Sequence, residues 1–153
     1  MWLNYMHPAA RSSVLRPFRF LLLMWLFFSV SFFFNIDFGF LGILPRSYFG
    51  IIGIFTSPLV HGNLNHISSN SVPVLFLGTI LYFFYPNIAN RIFLQCYFFT
   101  NILVWFFGRT FLHIGASGLI YALAFFLISI GFFEGKFRAL IVSITVLAVY
   151  GSL

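Results

Sequence analysis

Long apolar runs separated by short polar breaks make up most of this chain. Positions 18–34 are nearly all apolar, a run long enough to cross a hydrocarbon core as a helix. Further runs follow at 66–85, 91–107, 116–133 and 137–153. The pattern predicts an all-α membrane protein, a polytopic bundle with five transmembrane helices.

Three stretches depart from the pattern. Residues 35–60 are apolar but broken by Gly39, Gly42, Gly50, Gly53, Pro45 and Pro58. A helix cannot run cleanly through them, and lipid does not tolerate exposed, unpaired backbone. The expectation is a loop in the outer interface, folded on itself and supported by protein, with Arg46 and Tyr48 reaching headgroups. The second departure is the opening of the 66–85 run, which carries His66, Ser68, Ser69, Asn70 and Ser71. Pro73 is expected near the first turns of that helix, where proline is better tolerated. The third is residues 1–17, where Pro8 and Pro17 argue against a long helix. These residues read as a cytoplasmic tail, with His7 solvated, ahead of a transmembrane domain at 18–153. The 18–34 run is longer than a signal-peptide core and is followed by no small-residue cleavage site, so it reads as an anchored first helix.

Composition sharpens the class. The chain is 61% hydrophobic and 7% charged, with mean hydropathy +1.04; soluble domains are about 25% charged. Its 25 phenylalanines suit a lipid-facing surface. The net charge of +6 comes from scattered residues flanking apolar runs, a topology signal that argues against a nucleic-acid partner. With the N-terminus cytoplasmic, Arg11, Arg16, Arg19, Arg91, Lys136 and Arg138 fall inside. Only Arg46 and Arg109 fall outside, which supports this orientation over its reverse. It puts the 61–70 stretch and Ser117 at the same, outer side. Cys96 is the single cysteine, so no internal disulfide forms. Asp37 and Glu134 are the only carboxylate side chains, so neither a metal nor a cofactor is expected.

Two clusters could carry chemistry. His113-Ile114-Gly115-Ala116-Ser117-Gly118-Leu119-Ile120-Tyr121 is a run of small residues around one serine. Such runs let helices approach closely, and they also seat nucleophilic serines. In the second cluster His66 and Asn70 are four apart and share a helical face. Polar side chains there serve either interhelical hydrogen bonding or a functional cavity. Taken together, the clusters make an acyl-transfer site. Ser117 would attack a carbonyl, and His66, Asn70 and the Ser117 backbone N–H would meet the oxyanion at a positive helix end. Tyr121, four residues on, points the same way as Ser117.

The His61…His66…Asn70 series and Gly115-Ala116-Ser117-Gly118…Tyr121 together resemble the rhomboid intramembrane serine proteases, over residues 18–153. The resemblance implies a six-helix core of which this chain holds five helices. It implies Ser117 as nucleophile and His66 and Asn70 as oxyanion-hole residues. Gly115, Gly118 and Tyr121 would be supporting residues, with His61 structural at the loop-to-helix junction. Pro45-Arg46 stands near the place of the family's Trp-Arg pair. The family takes its catalytic base from a histidine on a sixth helix, and the last histidine here is His113. The chain therefore reads as a truncated copy or an incomplete gene product, inactive as it stands. Neither His66 nor His113 is expected to replace the base, which must reach the nucleophile directly or through one water. The implied partners are transmembrane protein substrates and the lipid bilayer. The implied location is a bacterial inner membrane, with the N-terminus cytoplasmic and the site outward. The alternative is a non-catalytic binder of membrane clients. A channel is disfavoured, because almost no intramembrane charge is available to line an ion path.

Overall fold

The computed structural model describes residues 8–135 and 137–150. His7, Lys136 and the Gly151–Leu153 end of the last run lie outside them. The described residues form α1 (Pro8–Phe34), a short α2 (Gly53–Thr56), α3 (Leu64–Phe84), α4 (Ala89–Phe107), α5 (Ser117–Glu134) and α6 (Phe137–Tyr150). Tight 3-10 turns at Gly39–Leu41, Tyr48–Ile51 and Ser57–Leu59 punctuate the loop between α1 and α3. No strand occurs among the described residues beyond one isolated bridge, Ile43 to His113.

Two proline expectations are corrected. The first helix starts at Pro8, not Phe18, and runs through Pro17. The reason lies in packing: Pro17 is buried against Gly78, whose added Cβ would stand 2.6 Å from Pro17 Cβ. A missing backbone donor matters little where the ring fills the crossing of α1 and α3. Pro73 lies well inside α3 rather than in its first turns. The N-terminus of α3 is fixed instead by Asn63, whose side chain accepts the His66 N–H at 2.9 Å. That is the expected capping chemistry.

The helices wrap one apolar core. Val74, Leu77 and Leu81 of α3 meet Met24 of α1, Leu119, Leu123 and Leu127 of α5, and Val142 and Val146 of α6. The outer surface is equally apolar: Phe33, Phe107 and Phe125 are 79%, 80% and 73% exposed. Apolar contact on both sides of a helix requires a lipid environment. Ser13–Phe34 and Leu64–Phe84 are each long and apolar enough to cross a membrane, and Ser117–Gly131 and Phe137–Val146 add shorter apolar helices. The molecule is a polytopic helical membrane protein.

Small residues do set one close crossing. Gly131 of α5 faces Ser143 of α6, with no room for a Cβ between them. The Ser143 hydroxyl is 2.9 Å from the Leu127 carbonyl and 2.8 Å from that of Ile128.

The glycine-broken loop is folded on itself and held by protein, as its composition required. Gly50 lies against the Leu44 backbone and Gly53 against the Gly42 backbone, so neither position has space for a side chain. One face of α4 then satisfies the loop's carbonyls. Tyr97 Oη donates to Phe55 O (2.6 Å), Asn101 Nδ2 to Ile54 O (2.9 Å) and Trp105 Nε1 to Ser47 O (3.0 Å). The donors are spaced by four, so they form one stripe. Tyr48 is 91% exposed, in keeping with an interfacial anchor. Arg46 Nη1 donates to the Phe106 and Gly108 carbonyls, both at 3.0 Å, closing the C-terminus of α4.

Candidate active site

Three segments converge at the N-terminal end of α5. The first is the residue run that leads into it. Ile43 and His113 exchange backbone hydrogen bonds at 2.8 Å in both directions, and Gly115 N–H donates to Ser57 O at 2.9 Å. The approach to Ser117 is thus fastened to the loop before the helix begins. Gly115 adopts φ +99°, a conformation that residues with a Cβ rarely take.

The second segment is the first turns of α3. His66 and Asn70 lie on its inner side, with Asn70 buried and its Nδ2 donating to the His66 carbonyl at 3.0 Å. One Nδ2 hydrogen remains, since an amide nitrogen carries two. A Cβ on Gly115 would stand 2.5 Å from His66 Nε2, 2.7 Å from His66 Cε1 and 3.5 Å from Asn70 Nδ2. The imidazole and the amide therefore meet at the backbone just ahead of Ser117. The two sequence clusters are brought together at this glycine.

The third is α5 itself. Ser117 is its first residue, after Ala116. The first intrahelical bond recorded at this end runs from Ile120 N to Ala116 O. The N–H groups of the first turn, Ser117 and Gly118 among them, lack intrahelical acceptors and form a positive end. Ser117 is exposed, and its hydroxyl has no hydrogen-bond partner among the described residues. Tyr121 shares this face and is 52% exposed. Gly118 faces Thr100 of α4, with 3.5 Å available to an added Cβ.

The other histidines have separate tasks. His113 Nε2 is 3.0 Å from the Arg109 carbonyl, and its ring stacks on Phe111 with centroids 4.3 Å apart. It seats the loop ahead of α5. His61 is buried at the loop-to-helix junction, edge-on to His66 with ring centroids 5.0 Å apart. Burial, and then the neighbouring His66, push its pKa down to about 4. His61 is thus neutral at physiological pH and suited to a structural position.

The α4 stripe that holds the loop was not anticipated from the sequence. Its signal was there: Tyr97, Asn101 and Trp105 are polar-tipped residues at helical spacing in an apolar run. The pattern identifies a shared face but not what that face binds.

Comparison with known proteins gives a consistent result. The family model described as the rhomboid domain matches residues 48–152. An uncharacterized protein of Mycobacterium bovis and one each from the CDC 1551 and H37Rv strains of Mycobacterium tuberculosis are 31% identical over 126 residues, covering 73% of this chain and 49% of theirs. The chain spans about half the length of these curated relatives. No solved structure matches it. With a family model spanning most of the chain, including both the His66 and Ser117 clusters, this protein belongs to the rhomboid family.

Proposed function

We propose that the protein is an intramembrane serine endopeptidase, cleaving transmembrane segments of other membrane proteins. The observation that carries this reading is the packing of Gly115 against both His66 and Asn70, immediately before Ser117. In this mechanism the Ser117 hydroxyl adds to a scissile carbonyl while its proton passes to a base. The resulting oxyanion accepts hydrogen bonds from His66, from the spare Asn70 Nδ2 hydrogen and from the Ser117 N–H at the positive end of α5. Collapse breaks the C–N bond, protonates the leaving amine and leaves an acyl ester on Ser117. Water then releases the acid and restores the hydroxyl.

In this rhomboid reading the base is a histidine seated against the exposed face of α5 that carries Ser117 and Tyr121. His113 is directed at Arg109 O and does not serve. In the same proposal the protein resides in a bacterial inner membrane, with its N-terminus cytoplasmic and the site facing outward, and its partners are transmembrane substrates rather than nucleic acid. The test is cleavage of a transmembrane reporter by the full-length protein in proteoliposomes. Cleavage should vanish in Ser117→Ala and persist in Arg109→Gln.

The unpartnered Ser117 hydroxyl favours one other reading, a non-catalytic binder of membrane clients. That reading gains if client helices co-purify equally with wild type and Ser117→Ala while no cleavage is seen with either.

A further inference from the structure

A fixed cation stands at the end of the bundle away from Ser117. Arg16 falls inside the apolar span Ser13–Phe34 of α1, beside the last turn of α3 and the first turn of α4. Its guanidinium carbon lies 5.1 Å from the centroid of the Tyr82 ring, and its Nη1 lies 3.5 Å from Asn90 Oδ1. Tyr82 is near the C-terminus of α3, whereas His66 is in its first turn. The two contacts hold the guanidinium in place, but both partners are neutral.

An ionised group on an apolar span is normally paired. Arg16 makes no ion pair among the described residues. Of the two carboxylates in the chain, Asp37 follows the far end of α1, and Glu134 lies in electrostatic reach of Tyr85. The groups left open around Arg16 are donors. A guanidinium carries five N–H groups, and one is used. Asn90 accepts through Oδ1 and keeps its Nδ2 hydrogens. Tyr82 is 8% exposed, and its hydroxyl has no hydrogen-bond partner among the described residues. That hydroxyl is not sealed in: among the described residues the fully buried side-chain polar atom without a partner is His61 Nε2 alone. Arg91 adds a further cation in the first turn of α4, where no acidic residue stands. A cation is unfavourable at that positive helix end. Arg19, one turn from Arg16, adds another. This corner therefore gathers positive charge and donors with no protein anion to meet them.

The neighbouring surface is apolar. Here α1 and α4 meet through rings, with Phe20 5.4 Å from Phe93 and 6.0 Å from Tyr97, edge to face. Phe20 and Phe93 are only half-buried, so the seam between the two helices is open to acyl chains. An anion that fits both features carries its own hydrocarbon.

We propose that this corner holds one anionic phospholipid. Its phosphodiester sits among Arg16, the Tyr82 hydroxyl and Asn90 Nδ2, and its acyl chains run along the seam of Phe20 and Phe93. Arg19 and Arg91 supply the field that selects an anionic headgroup over a zwitterionic one. The bound lipid ties α1 to the turn between α3 and α4.

The test is native mass spectrometry of the protein released from nanodiscs of equal phosphatidylglycerol and phosphatidylcholine. A charge-assisted hydrogen bond corresponds to about a tenfold preference, so the first lipid adduct should be enriched about tenfold in phosphatidylglycerol. Enrichment should fall to near parity in Arg16→Gln, survive in Arg16→Lys, and drop about threefold in Tyr82→Phe, which loses one neutral donor. It should be unchanged in Arg138→Gln, whose cation is on α6. In wild type, phosphatidylglycerol with a photoreactive acyl chain should crosslink to α1 and α4 around Phe20 and Phe93, which decides the matter even if a variant misfolds. Equal adducts in wild type, crosslinks confined to other helices, or enrichment unchanged by Arg16→Gln overturns the proposal. An equal loss in Arg138→Gln shows diffuse surface attraction and overturns it too. Displacement of the lipid by millimolar inorganic phosphate assigns the corner to a free anion and overturns the lipid assignment.

Discussion

Adding one methyl group at Gly115 should damage the site more than any other change of that size. The added Cβ would lie 2.5 Å from His66 Nε2 and 2.7 Å from Cε1, well inside van der Waals contact. The backbone cannot relieve the clash freely, because Gly115 N–H is tied to Ser57 O and the preceding residues to Ile43. At φ +99° an alanine is also strained, by about 1–2 kcal/mol on left-handed backbone costs. Overpacking against a ring adds about 1–3 kcal/mol. Gly115→Ala should therefore lower stability by about 2–5 kcal/mol. If His66 and Asn70 serve the oxyanion, displacing the imidazole should also lower kcat about 100-fold or more, as loss of one donor typically does. The assay is reporter cleavage in proteoliposomes at a temperature where the variant is still folded, alongside a melting curve in detergent. A Gly115→Ala protein that melts and cleaves like wild type would refute the contact between the two clusters.

Other outcomes follow from the same geometry. Asn101→Leu leaves the Ile54 carbonyl without its donor and should cost about 1–3 kcal/mol, read as a lower melting temperature and faster proteolysis within residues 47–56. Gly131→Val drives a side chain into Ser143 and should cost about 1–3 kcal/mol by overpacking, with looser α5–α6 association seen by crosslinking. The depressed pKa of His61, about 4 against 6.5 for the free side chain, makes stability pH-dependent. The neutral ring is the native form, so its contribution is complete above pH 6.5. It is lost as pH falls through the window down to about 4, a change of about 3 kcal/mol. His61→Phe should flatten melting temperature across that window.

The helices were legible because apolar runs and their polar breaks follow directly from the cost of exposing backbone to lipid. Their ends were less so. Pro8 and Pro17 are helix breakers by propensity, yet Pro17 sits inside α1 because its ring fills the space Gly78 leaves. That complementarity joins residues far apart in the chain, and no local pattern reveals it. The meeting of the two clusters was legible, since His66 and Asn70 share a face and alternating spans bring Ser117 to the same end of the bundle, where Gly115 packs against both. The part played by Gly115 could not be read, because a glycine's purpose depends on what would otherwise collide with it. Arg46 holds a further contact that no local pattern reveals, since its Nη1 meets the carbonyls ending α4, far away in the chain.

The most direct test of the central claim is labelling by a serine-directed fluorophosphonate, mapped by peptide mass spectrometry. It is run on the protein in lipid. The account predicts a label on Ser117, lost in Ser117→Ala and reduced in His66→Ala and Asn70→Ala. A label on another serine, or labelling of Ser117 unchanged in His66→Ala and Asn70→Ala, would contradict it.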